Sequence, residues 1–151
     1  MEVELDFATV RERWWDAGGK DTGGIIGWFG QVVERWIESK IPAREVAELR
    51  FIGAEGGGRW AAPTGGSNRV GDLPDFETSA GFRWNPDWLL IVVRDPESGE
   101  RVLIDGNERA SQLQLAVAAG TISPNETVRI ITGDLHMLVV RIGKAVSSLW
   151  R

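Results

Sequence analysis

The chain has no cysteine, no tyrosine and a single histidine. Without cysteine, disulfides, thiolate metal centres and cysteine nucleophiles are all excluded, and a reducing cytoplasm suits such a chain. One histidine, His136, cannot build a histidine triad or a zinc site of several histidines. Asp134 lies two residues before it, and positions two apart on a helix do not face the same way. His136 therefore reads as a surface or capping feature. Long hydrophobic runs are missing too. The longest, GIIGWFG and WLLIVV, fall far short of the roughly 20 residues a membrane-spanning helix needs. The opening MEVELDFATV is acidic and lacks the apolar stretch of a signal peptide. Positive charge is scarce, with 17 Lys and Arg against 22 Asp and Glu and a net charge of -5. That argues against an extended nucleic-acid surface, which would show a basic patch. These absences together predict a soluble, cytoplasmic chain with no membrane segment.

What is present suits one domain: 151 residues, 42% hydrophobic and 26% charged, are enough for a sizeable core. Asp6 is placed to cap a first helix with Phe7, Val10, Trp14 and Ala17 on one face, ended by Gly18-Gly19. Ile25, Phe29, Val32, Val33, Trp36 and Ile37 then recur at helical spacing, predicting a long amphipathic helix that Pro42 stops. Residues 1–40 thus read as a helical region. A short strand is expected within 45–53, ending at Ile52. WLLIVVRD and RVLID, joined by PESGE, predict a hairpin, and the branched run 88–95 suits a strand buried on both faces. A helix after Asn107, apolar on several sides, should be largely buried, and TVRIIT predicts a further strand. Asp134 would then cap a last helix over 134–151, with Leu135, Leu138, Val139, Ile142, Val146 and Leu149 on one stripe. The expected fold is one mixed α/β domain.

Residues 53–82, with GAEGGGRW, PTGGSN and GDLPDF, show no sustained period, and loops of this length are often lids or binding loops. Arg59, Trp60 and Arg69 on it are candidate ligand contacts, and Trp60 and Trp84 are candidates for stacking on a base or sugar. The eight tryptophans are scattered through every segment, which equally suits a core and a homodimer or protein-partner contact through the helices that carry them.

The junction Asp105-Gly106-Asn107-Glu108-Arg109 is the stretch most suggestive of chemistry. Asp105 and Glu108 have the spacing of a capping box, which would account for them without any ligand. Arg109 and Asn107 lie outside that explanation. A helix start offers free N–H groups and partial positive charge to a phosphate. Gly106 removes the side chain that would block approach, Asn107 can donate from its amide, and Arg109 can pair bidentately with phosphate oxygens. Glu108 would act as a base or hold a bridging Mg2+.

The stretch IVVRDPESGERVLIDGNERASQLQLAVAAG resembles the central hairpin, turn and helix of the ParB/sulfiredoxin-like superfamily. Members show a strand, a turn, a strand ending in a motif such as D-G-N-H-R or G-E-R-R, and then an alanine-rich helix. The resemblance spans residues 41–133, with residues 88–120 its specific part, and it includes the ParB-like nuclease domain type. It implies a small mixed sheet with flanking helices. It also implies a prokaryotic nucleotide-binding protein whose motif turn meets the phosphates. By that resemblance Asp105, Gly106, Asn107, Arg109 and Ser111 bind phosphate or nucleotide, and Glu108 is the catalytic candidate and the Mg2+ ligand. A nucleoside triphosphate and Mg2+ are the implied cofactors. Family members include CTP-dependent DNA clamps, ATP-using sulfiredoxins, a free-amino-acid kinase and nucleases. The absence of cysteine removes sulfiredoxin chemistry, and Glu108 stands where D-G-N-H-R members carry histidine. No helix-turn-helix module follows, and the charge is acidic, which turns the expectation away from a DNA clamp. The expected function is Mg-dependent phosphoryl transfer or nucleotide hydrolysis. The alternatives are a non-catalytic interaction module with a vestigial site, and a ParB-like nuclease.

Overall fold

The computed structural model describes residues 1–16, 25–51, 83–139 and 141–142. Its elements are β1 (Val3–Leu5), α1 (Phe7–Asp16), α2 (Ile25–Val32), β2 (Val33–Pro42), α3 (Ala43–Val46), β3 (Arg50–Phe51), β4 (Leu89–Arg94), β5 (Arg101–Asp105), α4 (Asn107–Ala118) and β6 (Thr127–Leu135). The six strands form one mixed sheet in the order β1-β2-β6-β4-β5-β3. The β1–β2, β2–β6 and β4–β5 pairs are antiparallel, and β4–β6 and β3–β5 are parallel. The fold is therefore mixed α/β. Among the described residues no helix is long and apolar enough to cross a membrane.

Both faces of the sheet are covered. Val10 and Trp14 of α1 and Phe29 of α2 pack on one face with Leu89, Ile91 and Val93. Ala43 and Val46 of α3 and Ala110 and Leu113 of α4 pack on the other with Leu90 and Val92. Strand β4 alternates between these two cores. Its unbroken apolar run is thus the signature of a strand sandwiched between helices. Asp6 caps α1 as its sequence position predicts, its Oδ1 accepting the Thr9 N–H at 2.7 Å.

Several expectations are corrected. The second helix ends at Val32 instead of running to Pro42, and residues 33–42 are the strand β2. The cause is a bulge: Val33 pairs with Leu135 and Arg35 with Asp134, which leaves Glu34 as an extra residue. The extra residue stretches the inward spacing from two to three. Val33 and Trp36 therefore both enter the core and imitate a helical repeat. The region 1–40 accordingly holds two strands as well as two helices. Asp134 does not cap a last helix. It lies on β6, where Arg94 Nε donates to its Oδ1 at 2.7 Å. Leu135 is the last strand residue and is buried, so the predicted stripe begins in the sheet. Residues 137–139 and 141–142 are helical, with Leu138 and Ile142 exposed. The predicted positions Val146 and Leu149 lie outside the described residues. The strand expected within 45–53 is the short β3, preceded by α3, and Ile52 lies outside the described residues. Helix α4 buries one face through Ala110, Ser111, Leu113 and Ala116, whereas Ala118 and Ala119 are exposed.

Candidate functional site

The hairpin of β4 and β5 puts the end of one strand beside the start of the other. Its turn is fixed by Asp95, whose Oδ1 accepts the Glu97 N–H at 2.8 Å and whose backbone N–H donates to the Glu100 carbonyl at 2.9 Å. At the far end Trp88, just before β4, lies close to the start of α4.

A second bulge shapes that end. Val92 pairs with Leu103, but Ile91 pairs with Asp105, so Ile104 is the extra residue. Leu103 faces the α3–α4 core. Without the bulge Asp105 would alternate back to that same face. The bulge instead sets Asp105 opposite Ile91, on the face that carries Trp14. No periodic pattern in RVLID reveals this.

Gly106 follows with φ 98° and ψ 22°, in the left-handed region, and is itself the N-cap of α4. A Cβ on it would lie 2.6 Å from Leu90 Cδ2 and 3.9 Å from Arg109 Nη2. The capping box expected from Asp105 and Glu108 is not formed. Asp105 is the last residue of β5, and the N-cap position of α4 is Gly106, which has no side chain to cap it. The first N–H groups of any helix lack partners within the helix itself, and here the Gly106 N–H is taken by Asp105.

Asp105 and Arg109 face one another across the turn, with Oδ2 3.7 Å from Nη2. This is an ion pair beyond hydrogen-bond reach, and among the described residues the buried Asp105 Oδ2 has no hydrogen-bond partner. Burial pushes the Asp105 carboxyl above its usual range. The Arg109 charge, the Gly106 backbone N–H and the Trp14 side chain pull it back only in part. Arg109 also lies over Trp88, with Cζ 6.0 Å from the ring centre, at the outer limit of a cation–π contact. Trp88 meets Trp84 edge to face, ring centres 5.2 Å apart. Trp84 packs against the α3–α4 core, and its indole nitrogen is buried with no hydrogen-bond partner.

The predicted residues thus divide. Asp105, Gly106 and Arg109 come together, with Trp84 joined to them through Trp88. Ser111 lies further along α4 and is buried. For Asn107 and Glu108 the backbone starts the helix, and their side chains lie outside the described set. Arg59, Trp60 and Arg69 lie outside the described residues. His136 is exposed, and its backbone N–H donates to the Val32 carbonyl at 3.0 Å. Trp88 and Trp14 are the site residues that the sequence pattern did not single out. The usable signal for Trp88 was its place directly before the most apolar strand, whose hairpin partner ends in Asp105.

Among the described residues no group of three or more His, Asp or Glu side chains gathers as a metal site. The carboxylate described at the turn, Asp105, stands beside a guanidinium. A Mg2+ ion here would take most of its ligands from phosphate oxygens and water, as that ion usually does. No protein-family model, curated protein or solved structure matches this chain.

Proposed function

We propose that the turn from β5 into α4 binds the phosphate groups of a nucleotide, in a cytoplasmic domain of ParB/sulfiredoxin type. The observation that carries this reading is a helix start whose N-cap is a left-handed glycine beside an arginine. Gly106 in left-handed conformation clears the approach, and Arg109 projects from the first turn over Trp88. Backbone N–H groups would take phosphate oxygens, and the guanidinium would clamp them bidentately. The order strand, turn, strand, glycine turn, helix, strand over residues 89–135 also supports the resemblance. Trp84 and Trp88 offer aromatic surface beside the clamp for a base or sugar. With Mg2+ on the phosphates of a nucleoside triphosphate and Glu108 as the base, the reaction would be phosphoryl transfer or hydrolysis.

The test is thermal stability with ATP, ADP, CTP, GTP and UTP, each with and without Mg2+. A ligand at a hundred times its Kd stabilises by about 2.7 kcal/mol, which is readable as a rise in Tm. A base-selective rise that Arg109→Glu abolishes is the expected outcome, and no rise with any nucleotide would end this reading.

A second reading is favoured by a different observation. Leu138 and Ile142 are 68% and 54% exposed, four residues apart on helical backbone that follows β6. An apolar pair at that spacing suits contact with a second copy or another protein. In that case light scattering would show a dimer that Leu138→Ser and Ile142→Ser together dissociate, and nucleotides would leave Tm unchanged.

A further inference from the structure

Asp105 stands in the way of the anion that the turn would bind. Its Oδ2 is buried, makes no hydrogen bond among the described residues, and lies 3.7 Å from the guanidinium that the phosphate would need. Among the described side chains, the charged group facing it is Arg109 from α4. α1 presents Trp14, and β4 presents Ile91 across the bulge. Burial already favours the neutral carboxyl, and Arg109 is the charge that opposes this. An oxyanion seated on Arg109 and the α4 N–H groups would satisfy that charge and set a second negative group beside Asp105. Two anions close to one cation cannot both stay ionised cheaply.

We infer that anion binding at this turn is an exchange coupled to proton uptake: the incoming oxyanion takes Arg109 from Asp105, and Asp105 is protonated as it is displaced. No covalent bond changes, and the proton comes from solvent. The inference rests on the phosphate-site reading. It makes Asp105 a gating residue that selects multiply charged oxyanions, because a weaker anion does not displace the carboxylate. It also makes affinity rise as pH falls through the Asp105 midpoint.

The test uses the full chain labelled with 13C at the aspartate carboxyl. The Asp105 signal is assigned through its own backbone amide and checked by its loss in Asp105→Asn. Inorganic sulfate is the probe, because it stays a dianion across the acidic and neutral range and carries no titration of its own. The Asp105 midpoint should rise by about one pH unit in saturating sulfate, equivalent to about tenfold tighter sulfate binding below the midpoint than above it. Asp105→Asn should bind sulfate more tightly at neutral pH and lose that pH dependence. If sulfate shifts the amide signals of 106–109 while the Asp105 midpoint stays or falls, the exchange is wrong and the phosphate turn stands. If neither sulfate nor pyrophosphate shifts those amides, both are overturned. The wild-type titration decides between these outcomes even if Asp105→Asn does not fold.

Discussion

Two carboxylates in this protein meet arginine in opposite ways. Glu38, on β2, accepts a hydrogen bond from Arg129 at 2.8 Å and is paired with Arg13 of α1 as well. Burial raises its pKa, but the Arg129 and Arg13 bonds and charges together outweigh burial and hold it below the usual range. Asp105 has one arginine, out of hydrogen-bond reach, and burial wins. The first arrangement joins α1, β2 and β6 and leaves its groups satisfied. The second leaves a cation and an anion poorly matched at the glycine start of α4. A satisfied network stabilises a fold, and a mismatched one is where a ligand has something to gain.

Four changes would break or sharpen this contrast. The largest effect is expected from Gly106→Ala, which forces a side chain into a left-handed conformation and against Leu90. Urea unfolding should show a loss of roughly 2–4 kcal/mol. Next comes Glu38→Ala, which strands two arginines in a part-buried setting, and the same measurement should lose about 2 kcal/mol near neutral pH. Its pH dependence has a definite sign. The folded-state pKa of Glu38 is lowered, so its contribution is present above the ordinary value of 4.5 and is lost as pH falls through the folded value. Wild type and variant should therefore converge in acid.

Asp105→Asn comes third, with an effect within about 1 kcal/mol and the opposite sign of pH dependence. The Asp105 pKa is raised, so its contribution is present below the ordinary value of 3.8 and is lost as pH rises through the folded value. Across that window the variant should gain on wild type, and a variant that instead loses ground would show Asp105 to be a satisfied ion pair like Glu38. The smallest effect belongs to Arg141→Ala, which removes an exposed pair with Glu97 at 3.0 Å. A change under about 0.5 kcal/mol is expected, and a larger one would show that surface pairing, rather than burial, sets the scale here.

Much of the fold was legible where one physical rule acted alone. The Asp6 cap, the hairpin of β4 and β5, and the strand at 127–132 follow from capping chemistry, branched apolar runs and turn residues. The failures fall where two rules collide. At Val33 and Trp36 a bulge gave strand residues the spacing of a helix. At Asp134 a carboxylate that looked like a cap served as the partner of Arg94. The candidate site was legible as a stretch, because glycine, arginine and carboxylate at a strand-to-helix junction suit the binding of an anion. It was not legible as a geometry. The bulge at Ile104 decides which face receives Asp105, and it leaves no mark on composition or period. Trp88 enters the site only because the hairpin folds back on itself.

The strand order has a consequence for how the protein is made. β6 is the last of the described strands in chain order, yet it lies between β2 and β4 in the sheet. Until residues 127–135 have been made, β2 and β4 both lack the strand that pairs with their inner edges. The β4 edge is an apolar strand and is open to pairing with a neighbouring chain, whereas β2 carries Glu34, Arg35, Glu38 and Lys40. The interval before the central strand arrives is therefore one in which the growing chain is exposed to aggregation. A premature stop before Thr127 would leave that state permanent.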